Sequence, residues 1–213
     1  MNQRTGLIID FGGVLTTSVP ACAVAFDRRA GLAEGSLLRM ISQHPEGSAL
    51  YRALECGTVS QTEWNERTGA LLGVDGEGLL GRVLEELRPE PSVLAAARAA
   101  RQAGITVGVF SNSLGLAPCN PYQGYDLAEN YDAVLISEHY RSRKPDPKLY
   151  LTMLELMGLP AAACVFVDDT AANLPPARAL GIATIHAVDP AETIRQIQAQ
   201  LDLDLGLSPT VSA

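Results

Sequence analysis

The 213-residue sequence predicts an α/β fold, a Rossmann-like parallel sheet core with helices on both faces and an inserted all-helical cap. Three observations predict it. Short apolar runs rich in Val and Ile, each closed by polar residues, recur along the chain. Capped helical stretches lie between them, the alternation that builds parallel sheets with crossover helices. Residues 19 to 88 break that alternation and carry helical patterns alone.

The first run, GLIIDFGGVLTT (6–17), predicts a strand that ends on a lone carboxylate, Asp10, followed by two glycines. ITVGVFSNS (105–113), YDAVLISE (131–138), ACVFVDDTAAN (163–173) and GIATIHAVD (181–189) supply the further strands. Among the helices, 91–104 is alanine-rich and stops at Gly104, a residue suited to a helix C-terminus. The stretch 146–158 opens with Asp146 and Pro147, an N-cap and first-turn pair, and stops at Gly158. The stretch 189–201 repeats that opening with Asp189 and Pro190, and Glu192 is placed to complete a capping arrangement. Within 19–88 five helical segments follow one another, and Ser60 with Glu63 forms a capping box at the start of the fourth. The expected division is therefore 1–18 and 89–201 for the sheet core, 19–88 for the helical cap and 202–213 for a flexible tail.

Apolar residues make up 47% and charged residues 19%, the balance of a globular chain. A net charge of −8 argues against nucleic acid or an anionic membrane as partner, since either needs a basic face. It leaves room for a small anionic substrate, because a metal ion and one lysine dominate the field locally. No apolar run approaches the ~20 residues of a membrane span, and the N-terminus reads as a strand rather than a signal peptide. Cys22, Cys56, Cys119 and Cys164 are scattered without a CxxC pair, as expected of reduced thiols in a cytoplasmic protein. Nothing in the sequence bears on oligomeric state.

Ligands of open parallel sheets bind beyond the carboxyl ends of the strands. Those ends deliver Asp10, then Ser111 and Asn112, then Asp168 and Asp169, while Lys144 in RKPDPKLY precedes a helix that Pro147 begins. Three carboxylates suit a hard divalent cation such as Mg²⁺ with room for phosphate oxygens. Ser111 and Asn112 bring hydrogen-bond donors and Lys144 a fixed positive charge, so that Asp10 can attack a phosphorus atom whose charge is offset. Each element also has an ordinary reading: Asp10 as a turn former, Asp168 and Asp169 as helix cap and first-turn acid, Lys144 as a solvated lysine. Gly12 and Gly13 fit neither GxGxxG nor GxxxxGK[ST]. The ordered co-occurrence at strand ends and a helix start favours the chemical reading.

Together these stretches resemble the haloacid dehalogenase superfamily, mostly magnesium-dependent phosphatases. DFGGVL is similar to its first motif, FSNS to the second, the lysine of RKPDPKLY to the third and VFVDDTAANLPPARALGI to the fourth, over about residues 5 to 190. The insertion resembles the cap of the subfamily that places it after the first motif, of which GTVSQTEW is typical. The last two motifs are particularly similar to the N-terminal phosphatase domain of soluble epoxide hydrolases and its bacterial relatives, and some bacterial sugar-phosphate phosphatases resemble this chain in having glycine at position 12. The resemblance implies that Asp10 is a nucleophile that forms an aspartyl-phosphate. It implies Mg²⁺ held by Asp10, the Gly12 carbonyl and Asp169, with Asp168 as a direct or water-bridged partner. Gly13, Ser111, Asn112 and Lys144 would hold the phosphoryl group of a small phosphorylated substrate, and Asn173 would support the site.

Two departures stand out. Most phosphatases of this superfamily carry a second Asp, the proton shuttle, where this chain has Gly12; general acid–base help is worth on the order of 10² to 10⁴ in rate. Glu34, His44 and Glu63 are candidate replacements in the cap. Arg141 stands where the family usually has a glycine. Dehalogenases of the superfamily place an aromatic residue at the Gly12 position and need no metal, against which Asp168 and Asp169 argue. Phosphonate cleavage would use a cap lysine, and residues 19 to 90 contain none. A non-catalytic binder of a phosphorylated ligand or protein partner is motivated by Gly12 and opposed by Asp10, Lys144 and the paired acids. His44, His139 and His186 lack metal-ligand spacing; His186 is expected to be structural and His139 to be a candidate for the pocket wall.

Overall fold

The computed structural model describes residues 4–205. Five strands form one sheet: β1 (Gly6–Ile9), β2 (Thr106–Ser111), β3 (Ala133–Ile136), β4 (Cys164–Asp168) and β5 (Ala183–His186), in the order β3-β2-β1-β4-β5. All four ladders are parallel, and β1 is central, with Ile9 opposite Val109 on one side and Val167 on the other. The chain therefore leaves β1 towards one edge through β2 and β3 and returns to the other through β4 and β5. That reversal opens a crevice beyond the end of β1, where open α/β sheets bind ligands.

Both sheet faces are buried, so period-two alternation sorts the side chains between two apolar layers instead of between core and solvent. Leu7, Ile9, Val107, Val109, Val165 and Val167 pack on one face under α6 (Pro91–Gln102) and α10 (Pro190–Leu201). Ile8, Phe110 and Phe166 pack on the other under α8 (Pro147–Met157) and α9 (Leu174–Ala179). Asp146 and Asp189 are N-caps that accept from the Lys148 and Glu192 amides, and Gly158 closes α8 in the left-handed region at φ 65°.

Between β1 and α6 lie α1 (Val19–Arg29), α2 (Ser36–Gln43), α3 (Pro45–Glu55), α4 (Gln61–Leu72) and α5 (Leu79–Val83). Phe26, Leu37, Met40, Leu54, Trp64 and Leu80 are among the residues of their own apolar cluster. The fifth segment is shorter than the sequence pattern predicts, because Gly78 takes φ 58° and starts the helix only at Leu79. The two connections to the sheet pair with each other through an antiparallel bridge of Thr16 with Pro89. The link from β2 to β3 is mostly irregular, with one short helix, α7 (Leu127–Asn130).

The expected tail requires correction at its start. Leu205 is buried, and Leu203 packs beside it against the cluster that contains Leu201, because alternate leucines let the chain continue along the apolar layer after α10. Residues 206–213 of that segment lie outside the described residues. The four cysteines are free thiols. Among the described residues no helix is long and apolar enough to cross a membrane.

Candidate active site

The carboxyl ends of β1, β2 and β4 bring Asp10, Ser111 and Asp168 together, and Lys144 reaches them from the loop before α8. Lys144 is only 1% exposed, which excludes a solvated surface role. Its Nζ lies 2.8 Å from Asp10 Oδ1 and 2.7 Å from Asp168 Oδ2, and donates to the Phe110 carbonyl at 2.9 Å. The rings of Phe110 and Phe166 flank the ammonium at 5.1 and 5.5 Å, a favourable cation–π setting for a desolvated charge. Asn112 fixes the lysine's backbone: Oδ1 accepts from the Lys144 amide at 2.8 Å and Nδ2 donates to its carbonyl at 3.3 Å.

Asp10 Oδ1 also accepts from the Phe11 amide at 2.7 Å, and among the described residues Oδ2 has no hydrogen-bond donor. Ligand atoms of Asp10, Asp168 and Asp169 lie within 4.8 Å of one another. Burial raises the Asp10 carboxyl, with Lys144 pulling the other way and Asp168 adding repulsion. Asp169 is raised too, by burial first and then by Asp168. Three carboxylates against one ammonium leave two negative charges, the balance that a divalent cation would neutralise.

Asp168 has a ligand atom in the carboxylate group that could hold a cation, and it also makes several hydrogen bonds to the protein. It is fully buried, Oδ1 accepts from the Thr170 amide and Asn173 Nδ2, and Oδ2 accepts from Lys144 and Asn173. Its lone pairs orient Lys144, and neither motif-four acid caps α9, which has no side-chain cap. The Gly13 amide faces Thr16 Oγ1 at 3.4 Å, and its bare Cα gives room to the Asp169 carboxylate. Asn112 borders the cavity while its side-chain amide also holds the Lys144 backbone. Asn173 also accepts a hydrogen bond from the Tyr150 hydroxyl at 2.7 Å through its carbonyl.

A cavity of about 420 Å³ opens above these groups and is bordered by Asp10, Gly12, Ser111, Asn112, Lys144 and Asp169. The sequence reading missed further residues on its wall, among them Tyr122, Glu55 and Arg143. Ser111 Oγ and the Tyr122 hydroxyl are 2.9 Å apart, and the Tyr122 ring packs on Phe11 with centroids 4.7 Å apart. Arg143 Nη1 lies 2.6 Å from Glu55 Oε2 at the C-terminal end of α3. Arg143 had a visible signal in its adjacency to Lys144; Glu55 lies two residues before the GTVSQTEW stretch and had none.

The cap candidates for a proton shuttle do not border this cavity. Glu34 pairs with Arg28 and Glu63 with Arg67 on exposed surfaces, while His44 Nδ1 accepts from the Gly47 amide as the cap of α3. His139 is likewise absent from the cavity wall, and His186 Nε2 is 2.8 Å from the Asp169 carbonyl, a structural contact. Arg141 adopts the left-handed conformation at φ 53° that a glycine would take more readily, and its guanidinium donates to the Gly57 carbonyl.

Residues 5–181 match the haloacid dehalogenase-like hydrolase family. The chain belongs to it. A phosphatase of Mycobacterium tuberculosis, MT3486, is 34% identical over 93 residues, covering 43% of this chain and 43% of that protein. The sesquiterpene phosphatase astK of Aspergillus oryzae is 24% identical over 202 residues, covering 90% of this chain and 93% of that protein. A solved HAD-like family hydrolase from Porphyromonas gingivalis superposes with a TM-score of 0.74 at 21% identity, covering 95% of this chain and all of that one. The chain spans less than half the length of the mycobacterial relative, and 19% or less of some longer curated relatives.

Proposed function

We propose that this hydrolase is a magnesium-dependent phosphatase acting through an aspartyl-phosphate on Asp10. The observation that carries the reading is the buried triangle of Lys144 with Asp10 and Asp168, set at the sheet's switch point beside Asp169, with Asp10, Lys144 and Asp169 bordering the cavity. Asp10, the Gly12 carbonyl and Asp169 would hold Mg²⁺, an oxygen donor set that a hard cation prefers, with Asp168 acting through Lys144. The ion would supply neutralisation of the phosphoryl oxygens. Lys144 anchors Asp10 by Oδ1, which leaves Oδ2 to attack phosphorus in line with the departing oxygen. Ser111, set by Tyr122, and Lys144 hold the phosphoryl group during transfer. The helical unit α1–α5 serves as a cap that keeps bulk water from the reacting atoms.

The rest of the cavity wall indicates the body of the substrate. Leu37, Leu38, Ile41, Leu80, Leu84 and Leu87 make its cap side mostly apolar, with Ser42, Tyr51, Glu55 and Trp64 as the polar exceptions, a surface with few partners for a sugar's hydroxyl groups. An alkyl or prenyl monophosphate fits this lining, in keeping with the name of the fungal relative.

The test is phosphate release from a prenyl or medium-chain alkyl monophosphate and from a hexose phosphate, with Mg²⁺ and with the metal chelated. Asp10→Asn should lower turnover at least about 10³-fold, chelation should abolish it, and the apolar ester should be preferred. Equal activity in the Asn variant would remove Asp10 as nucleophile, and equal activity without metal would remove the Mg²⁺ assignment.

A further inference from the structure

Gly12 leaves the site without a proton carrier on the first loop, so another group has to protonate the leaving oxygen. Three carboxyls border the cavity among the described residues: Asp10, Asp169 and Glu55. The first two are committed to attack and to the cation under the reading above. No histidine or cysteine borders it, and the phenols of Tyr51 and Tyr122, both on the wall, are pushed well above their ordinary range by burial. Glu55 is the carboxyl left over.

Its setting suits a proton carrier. Glu55 is buried at the end of α3, whose last turn is tied to the sheet domain by Ser137 Oγ on the Glu55 carbonyl and by Arg141 on the Gly57 carbonyl. Oε2 lies 2.6 Å from Arg143 Nη1 as an ion pair, and the Asn112 side chain is within hydrogen-bonding reach of the carboxyl. The groups that face it are Arg143 and Lys144 from the loop before α8, Asn112 beyond β2, and Tyr51, Arg52 and Cys56 of its own helix end. Burial lifts its carboxyl to about 7 against the pull of Arg143, which lets both protonation states occur near neutrality.

We propose that Glu55 is the acid–base residue of this site, supplied by the cap in place of the missing aspartate; the proposal rests on the phosphatase reading. As Asp10 Oδ2 bonds to phosphorus and the bond from phosphorus to the leaving oxygen breaks, the carboxyl of Glu55 gives its proton to that oxygen. Arg143 then stabilises the resulting carboxylate. Glu55 next takes a proton from the water that attacks phosphorus. The bond from phosphorus to Asp10 breaks, free Asp10 and inorganic phosphate are released, and Glu55 is again protonated.

Rapid mixing with p-nitrophenyl phosphate, whose leaving group needs no proton, separates the two steps. Glu55→Gln should release about one equivalent of p-nitrophenolate per site in a burst, which also reports an intact nucleophile, and then turn over on the order of 10²- to 10⁴-fold more slowly than wild type. With an alkyl phosphate the same variant should show no burst. Adding Gly12→Asp to Glu55→Gln should restore at least about tenfold of the steady rate, because Gly12 has an ordinary backbone conformation and a new Cβ would meet only Val19 Cγ2, at 3.0 Å. A Glu55→Gln variant with wild-type steady turnover, or with equal loss on both esters and no burst, overturns the assignment while the phosphatase reading stands. A wild-type protein without Asp10-dependent phosphate release overturns both.

Discussion

At Gly13 an added Cβ would lie 2.2 Å from Asp169 Oδ2, on a backbone with φ of 77°. Either feature alone disfavours a side chain; together they make this glycine the condition for an acid at position 169 to approach the first loop. Gly13→Ala is expected to cost about 1–2 kcal/mol from the left-handed backbone alone. It should also weaken Mg²⁺ activation at least about tenfold by displacing the carboxylate. A thermal melt and a magnesium titration of activity read the two effects separately. Gly12 is different in kind. Its φ of −71° and ψ of 126° suit any residue, so the backbone does not require glycine at this position.

Secondary-structure elements place the cavity wall through a few cross-links. Gln61, at the start of α4, is buried; its Nε2 donates to the Leu114 and Cys119 carbonyls at 2.9 and 2.8 Å, and its Oε1 accepts from the Cys119 amide at 2.7 Å. These three bonds brace the irregular link after β2, which carries Leu114 and Tyr122 to the cavity. Gln61→Leu leaves those backbone groups unpaired and should destabilise the protein by about 2–4 kcal/mol in denaturant titrations. It should raise KM more than it lowers kcat, since the lining shifts while Asp10 and Lys144 keep their own supports. The capping box predicted at Ser60 is present in half: Ser60 accepts from the Glu63 amide, while the Glu63 carboxylate turns to Arg67. Arg141 shows a loop conformation surviving a residue that does not favour it, held by the bond to Gly57.

For the whole molecule, holding an acid buried between the end of α3 and the loop before α8 has a cost that depends on pH. The Glu55 carboxyl stands at about 7 in the folded chain against an ordinary 4.5, so the folded state binds the proton more tightly. Its contribution to stability is therefore fully present below about pH 4.5 and is lost as pH rises through about 7. At about 1.4 kcal/mol per pKa unit this amounts to roughly 3 kcal/mol. Glu55→Gln should thus gain stability over wild type between about pH 5 and pH 8.5, measured by urea unfolding at both values. A constant difference across that range would mean that the carboxyl is not raised. Under the assignment proposed for Glu55, such a gain would mark a site that gives up stability for function.

How much was legible in the sequence follows from the range of the forces involved. The alternation of apolar runs with capped helices, the break over 19–88, the acids at strand ends and the lysine before a helix are local patterns, set by periodicity, capping and turn chemistry. By itself the sequence determined the fold class and which residues meet at the sheet's carboxyl edge. Only the tertiary structure decided how they divide the work. Asp168 turns to Lys144 and Asn112 to the lysine's backbone, because buried polar groups must be satisfied by whichever partners the packing brings near. Glu55 becomes a cavity acid because α3 ends against the loop that bears Arg143, 88 positions along the chain, a contact that no local spacing encodes.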